Sequence, residues 1–190
     1  MIAVVGKICA GKTFVLKELE QEGYSVFYAD EYVNNLYEKN TTFLSDAKNM
    51  LPTICFENNQ LNKAKLKEAI SQGKIELSTL EQLVFRYLEN HLKKNKYDFA
   101  EIPILYKTRC EFIQIFQKIV AINTNSSLRQ SLCEIRGVDN FWFNYFETQN
   151  HYNWDVKDNL CGVEIVNISI NNKWELENLK NKLVNHSLSI

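Results

Sequence analysis

Between an apolar run at Ile2-Ala3-Val4-Val5 and an amphipathic stretch bearing Phe14, Val15, Leu16 and Leu19, the chain reads Gly6-Lys7-Ile8-Cys9-Ala10-Gly11-Lys12-Thr13. This matches G-x-x-x-x-G-K-[ST] with the strand before it and the helix after it that give the pattern its meaning. No other feature constrains the fold as much, because such a loop works only where a buried strand hands the chain to the N-terminus of a helix. The glycines let the backbone wrap around an anion, and successive N–H groups and the helix N-terminus point at it. Lys12 then reaches the outer phosphate oxygens, and the Thr13 hydroxyl is placed for a divalent cation. At ordinary residue usage such a match arises by chance in roughly one in a hundred chains of this length. It is rarer here, where only 6 of 190 residues are glycine. Residues 6–13 are therefore the expected nucleotide phosphate site.

Further short apolar runs at 25–28, 99–105, 119–122 and 163–170 each precede a polar turn or a helical pattern, the rhythm of a parallel sheet. With Ile2 to Val5 they predict a mostly parallel sheet of five strands. Tyr32, Val33, Leu36 and Tyr37 give one further helix face, and Trp174, Leu176, Leu179 and Leu183 another. Residues 39–98 hold no convincing strand and read as helical. Ser78 with Glu81 predicts a capping box ahead of Leu80, Leu83, Val84, Tyr87 and Leu88. Ser126 or Ser127 is expected to cap a helix before Arg136, and Asp139 to cap an aromatic helix over 141–146. No repeat, low-complexity tract or linker divides the chain, so 1–190 is read as one domain, with an insert at about 39–98 and a lid at about 126–160.

Lys and Arg total 22 against 23 for Asp and Glu, a net charge of −1, so no global field favours nucleic acid or an anionic membrane. No stretch is long enough to span a bilayer, and the apolar start is too short for a signal peptide. The five cysteines, at 9, 55, 110, 133 and 161, show no metal-ligand spacing. Reduced thiols in a cytoplasm are the expectation. Cys9, inside the electropositive loop, is either the most reactive thiol or a small residue turned into the core.

Asp30 follows the second apolar run. The crevice of a parallel α/β sheet lies outside such carboxyl ends, so Asp30 is a candidate general base, against the alternative that it only caps a helix beginning at Glu31. Glu101 interrupts an apolar strand. Its carboxylate is either satisfied by a magnesium-bound water or an acceptor hydroxyl, or sits at a solvated strand end. Arg136, and secondarily Arg129, could offset charge on a transferred phosphoryl group, or be ordinary surface arginines. His91, His151 and His186 have no partner spacing and read as structural. The aromatic run at 141–146 reads as packing ahead of base stacking.

Taken in order, these segments resemble the dephospho-coenzyme A kinase family. Val5 to Phe14 is similar to the family's G-G-I-G-S-G-K-S-T, and Tyr28-Ala29-Asp30-Glu31-Tyr32 to its D-A-D-x-[IV]. Leu61 to Ile70 is similar to L-D-R-x-x-L-x-x-[IV], and Glu101-Ile102-Pro103-Ile104-Leu105-Tyr106-Lys107 to D-I-P-L-L-[FY]-E. Arg136-Gly137 through Gln149 is similar to its lid arginine and following helix. The resemblance implies a three-layer P-loop NTPase fold with a helical acceptor-binding insert and a helical lid. It also implies ATP-dependent phosphorylation of the ribose 3′-hydroxyl of dephospho-coenzyme A with Mg²⁺. Asp30 is then the general base, Lys12 and Arg136 the charge-offsetting residues, and Thr13 with Glu101 the metal ligands. Departures from the pattern fall at Tyr28, Asn62-Lys63, Phe85-Arg86, Lys107 and Leu132, and none on Lys12, Thr13 or Asp30.

Other readings share the loop. A kinase of nucleosides or other small molecules is one, and a nucleotide-binding protein weakened in catalysis is another. A GTPase is disfavoured, because Asn95-Lys96-Tyr97-Asp98 precedes a strand where guanine recognition would need it to follow one, and no D-x-x-G segment is present.

Overall fold

The computed structural model describes residues 1–138, 143–144, 147 and 152–187. The aromatic run (apart from Phe143 and Asn144), Asp139, Gln149 and His151 lie outside the described residues. The chain divides into two compact units, Met1–Phe27 with Lys96–Ile190, and Tyr28–Asn95.

The first unit is built on a sheet in the order β2-β5-β1-β6-β8-β7. Its strands are β1 (Ile2–Val5), β2 (Val26–Tyr28), β5 (Phe99–Glu101), β6 (Lys118–Thr124), β7 (Asn159–Leu160) and β8 (Val163–Ile170). β1 lies parallel to β5 and β6, and β6 parallel to β8. All five expected runs form strands. The sixth strand, β7, is a two-residue antiparallel edge on β8 that no periodicity announces. β1 is central and buried along its whole length, which is why it is uniformly apolar, whereas β8 alternates buried with exposed positions.

The run at 99–105 stops being a strand at Glu101. Pro103 has no N–H for the ladder, and the chain turns into a short 3₁₀ helix at Leu105–Lys107. α1 (Lys12–Gln21) buries Val15, Leu16 and Leu19, while Phe14, expected on that face, is 42% exposed. The C-terminal helix is two pieces, α8 (Lys173–Glu177) and α9 (Leu179–Ser187). Leu176, Leu179 and Leu183 are buried and Trp174 points outward. α7 (Ser126–Ile135) is capped one residue earlier than expected, by Asn125, whose side chain accepts from the Leu128 N–H. α6 (Cys110–Ile113) also belongs to this unit. Asp98 has a structural role here: its carboxylate accepts the Ser25 N–H at 2.8 Å.

The second unit is helical, with α2 (Ala29–Lys39), α3 (Thr41–Met50), α4 (Lys63–Ser71) and α5 (Leu77–Lys94). Asn40 caps α3 and Asn62 caps α4 through side-chain oxygens. The unit also holds a hairpin of β3 (Phe56–Glu57) and β4 (Gln60–Leu61), so the expectation of no strand is corrected. Asn58 and Asn59 at its tip both take positive φ, the requirement of a type I′ turn that Asn tolerates. The expected capping box at Ser78 does not form. α5 begins one residue earlier, which puts Ser78 inside the first turn, where its hydroxyl donates to Glu76. Phe43 anchors the core between Tyr37, stacked at 5.6 Å, and Tyr87, edge-on at 5.2 Å.

Candidate functional site

The loop at 6–13 joins the C-terminal end of β1 to α1, and its two glycines hold conformations that other residues resist. Gly6 has φ +144°, and a Cβ there would lie 2.5 Å from the Ile122 carbonyl oxygen. Gly11 has φ +96°, and its Cβ would meet Leu176 at 2.6 Å. Thr124, at the end of β6, donates its hydroxyl to the Ala10 carbonyl at 2.8 Å and ties the loop to the sheet.

Lys12 is buried. Its ammonium donates to the Gly6 and Lys7 carbonyls at 3.0 Å each and lies 3.9 Å from a Glu101 oxygen. Glu101 ends β5 opposite Val4 of β1 and is 8% exposed, so the reading of a solvated strand end is corrected. Its carboxylate accepts the Thr13 hydroxyl at 3.1 Å on both oxygens. A carboxylate this buried requires such partners. Lys12, Thr13 and Glu101 thus converge from two segments almost ninety residues apart. The hydroxyl and carboxylate oxygens are hard donors of the kind Mg²⁺ takes when phosphate oxygens and water complete its shell.

Beside the loop stands a cluster that sequence reasoning missed. Arg129, on α7, is 3% exposed. Its Nε donates to the Thr124 carbonyl at 3.0 Å, and its fork grips Glu147 at 2.6 and 2.8 Å. Lys7 reaches the same carboxylate at 3.3 Å. Burial pushes the Glu147 carboxyl up, but the Arg129 hydrogen bonds and the charges of Arg129 and Lys7 outweigh it and hold the group below its ordinary range. Lys7, Arg129 and Glu147 line a cavity of about 440 Å³ with Asn123, Trp154 and Asn167. Arg136 stands just past α7, is exposed, and makes no side-chain hydrogen bond or ion pair among the described residues. Lys7 is expected as part of the loop and Arg129 as a second-choice arginine, but neither Glu147 nor the meeting of the three is.

Asp30 belongs to the second unit. It lies in the first turn of α2 and is exposed, while Tyr28 occupies the cap position. The helix starts at Ala29, before Glu31, so Asp30 is not an N-cap. In the same unit His91 packs against Tyr32, the ring centroids 4.5 Å apart and the planes tilted by 40°, and burial lowers its pKa, in keeping with a structural role.

Four cysteines are paired, Cys9 with Cys133 and Cys110 with Cys161, and Cys55 is free and buried. The expectation of reduced thiols, and with it a reactive Cys9 thiolate, is corrected. Cys9 turns inward, 3% exposed, to pack with Cys133 and Phe143. Alkylation of denatured, unreduced protein is expected to mark Cys55 alone, and all five cysteines after reduction by a dithiol. Peptide mass mapping that finds five marked cysteines before reduction would replace the bridges by thiol pairs. Among the described residues no helix is long and apolar enough to cross a membrane.

Residues 1–134 match the model of a family described as dephospho-CoA kinase. The chain is 30% identical over 135 residues to the dephospho-CoA kinase of Rickettsia typhi, covering 67% of each. It is likewise 30% identical over 145 residues to that of Bartonella henselae, covering 72% of each. Among solved structures, TT1252 from Thermus thermophilus superposes with a TM-score of 0.68 at 17% identity, over 100% of this chain and 97% of that one. The dephospho-CoA kinase from Campylobacter jejuni gives 0.59 at 17% identity, over 98% of both. These likenesses establish the three-layer α/β arrangement around a phosphate-binding loop.

Proposed function

Because the chain belongs to the dephospho-CoA kinase family, we propose that Lys12, Thr13, Glu101, Asp30 and Arg136 divide the work of phosphoryl transfer to the ribose 3′-hydroxyl of dephospho-CoA. The chain is a phosphotransferase that uses ATP to convert dephospho-CoA to CoA. The observation that carries the assignment of roles is the buried meeting of Lys12, Thr13 and Glu101 at the mouth of the loop.

The backbone of Gly6 to Thr13 cradles the triphosphate in this reading, its two glycines allowing the tight path and the loop N–H groups serving as donors to phosphate oxygens. Lys12 is held by two carbonyls and a carboxylate, so its ammonium is positioned before substrate arrives, and it offsets charge on the γ-phosphoryl oxygens. Thr13 and Glu101 would hold Mg²⁺, which supplies charge neutralisation on the phosphates when bound. Asp30 accepts the proton of the acceptor hydroxyl, a role that rests on the likeness of Tyr28-Ala29-Asp30 to the family's D-A-D element. Arg136 adds positive charge from the lid, and closure of the lid excludes water that would otherwise take the phosphoryl group. ATP and dephospho-CoA are the substrates in this reading, and the cytoplasmic setting rests on the family assignment alone, since the two disulfides remove the argument from reduced thiols.

A panel of acceptors with MgATP tests the reading. ADP release is expected to be fastest with dephospho-CoA, with CoA as the product by mass. Release no faster with dephospho-CoA than with water or nucleosides would sink the assignment. Turnover of a nucleoside instead would move the chain to the neighbouring class of small-molecule kinases.

A further inference from the structure

We propose that Lys7 and Arg129 form an anion subsite beside the phosphate loop that Glu147 fills with its own carboxylate, so that Glu147 competes with the nucleotide's phosphates and sets the affinity of the site. The inference rests on the loop being the nucleotide site.

Three features carry it. First, the two cations converge on one point from different segments. Lys7 is the second residue of the loop, and Arg129 on α7 lies with Nη1 3.5 Å from the carbonyl of Ile8, the third. Second, the guanidinium is fixed and buried, its side chain 4% exposed, and it offers a planar two-bond fork that fits a phosphate as well as a carboxylate. Its Cζ lies over the Phe143 ring, 5.4 Å from the centroid. Third, the Glu147 side chain is 23% exposed against 4% for Arg129, so of the buried guanidinium and its carboxylate it is the carboxylate that can leave without unpacking the core. A departing Glu147 exposes a buried guanidinium that needs an anion, and the adjoining cavity of about 440 Å³ gives an anion access to it. The alternative is a plain tether, in which the ion pair only fastens residue 147 to the core.

The two differ in sign. Glu147→Gln keeps the size and hydrogen-bonding capacity of the side chain and removes its charge. Binding of inorganic tripolyphosphate and of MgATP, measured by calorimetry, is expected to tighten about three- to tenfold, and the KM for ATP to fall by the same factor. Adenosine, which carries no phosphate, is expected to bind both proteins equally. Glu147→Ser is carried in parallel, and the sign is read on whichever variant keeps a wild-type melting temperature. Binding of tripolyphosphate that is unchanged or weakened, with the wild type binding normally, overturns the competition and leaves the tether. An equal gain for adenosine also overturns it, since the cavity's shape and not its charge would then have changed. If neither wild type nor variant binds tripolyphosphate or ATP, the nucleotide assignment of the loop falls and the proposal with it.

Discussion

Lys12→Ala is expected to lower kcat about 10²- to 10³-fold, the loss typical when one preorganised donor to developing transition-state charge is removed. The structure adds a second expectation that an exposed lysine would not carry. The ammonium satisfies the Gly6 and Lys7 carbonyls and faces the buried Glu101. Truncation leaves two loop carbonyls without this donor and a buried carboxylate with less compensation. Thr13 still donates to Glu101, so the cost is expected near the lower end for such groups, about 1–3 kcal/mol. For a chain of this length, that corresponds to a fall in Tm of a few degrees. Lys12→Met separates the two effects, because it keeps the side-chain volume and loses the charge. Both variants are assayed well below their melting temperatures. A kcat within threefold of wild type in a folded variant would remove Lys12 from the chemistry and leave it as the loop's internal brace.

Asp30→Asn is expected to lower kcat by about 10²- to 10⁴-fold, the range for loss of a general base, with almost no change in stability. Asp30 is exposed in the first turn of α2, and the cap position belongs to Tyr28, whose side chain makes no capping bond. The substitution therefore removes only a first-turn charge at the positive end of the helix dipole, worth about 0.3–1 kcal/mol at an exposed site. A large fall in kcat with an unchanged melting temperature is the signature of the base. Equal kcat would reduce Asp30 to a helix-dipole charge and transfer the proton-accepting role to another group. Together the two substitutions test opposite predictions about stability: the buried lysine couples function to folding, and the exposed aspartate does not.

What could be read from the chain alone was whatever is local. The loop from Gly6 to Thr13, β1 and β8 appear where the periodicity and the glycines place them, because a strand's alternation or a turn's positive φ is set by residues within a few positions of one another. Boundaries slipped where neighbours compete. Asn125 rather than Ser126 or Ser127 caps α7, Glu76 rather than Ser78 occupies the cap position of α5, and Pro103 ends a strand that its apolar neighbours would have extended. Only the tertiary structure decided which distant groups meet. Glu101 lies 88 residues beyond Thr13 and Thr124 lies 114 beyond Ala10. Cys133 is 124 beyond Cys9, and Glu147 is 140 beyond Lys7. No local pattern encodes these pairings. They follow from sheet order, which sets β5 and β6 on either side of β1 and so brings the ends of both strands to the loop. The burial of Lys12 has the same origin: a cation's type is written in the sequence, but the counter-charge that allows it to leave water, Glu101, is supplied by a segment the sequence places far away.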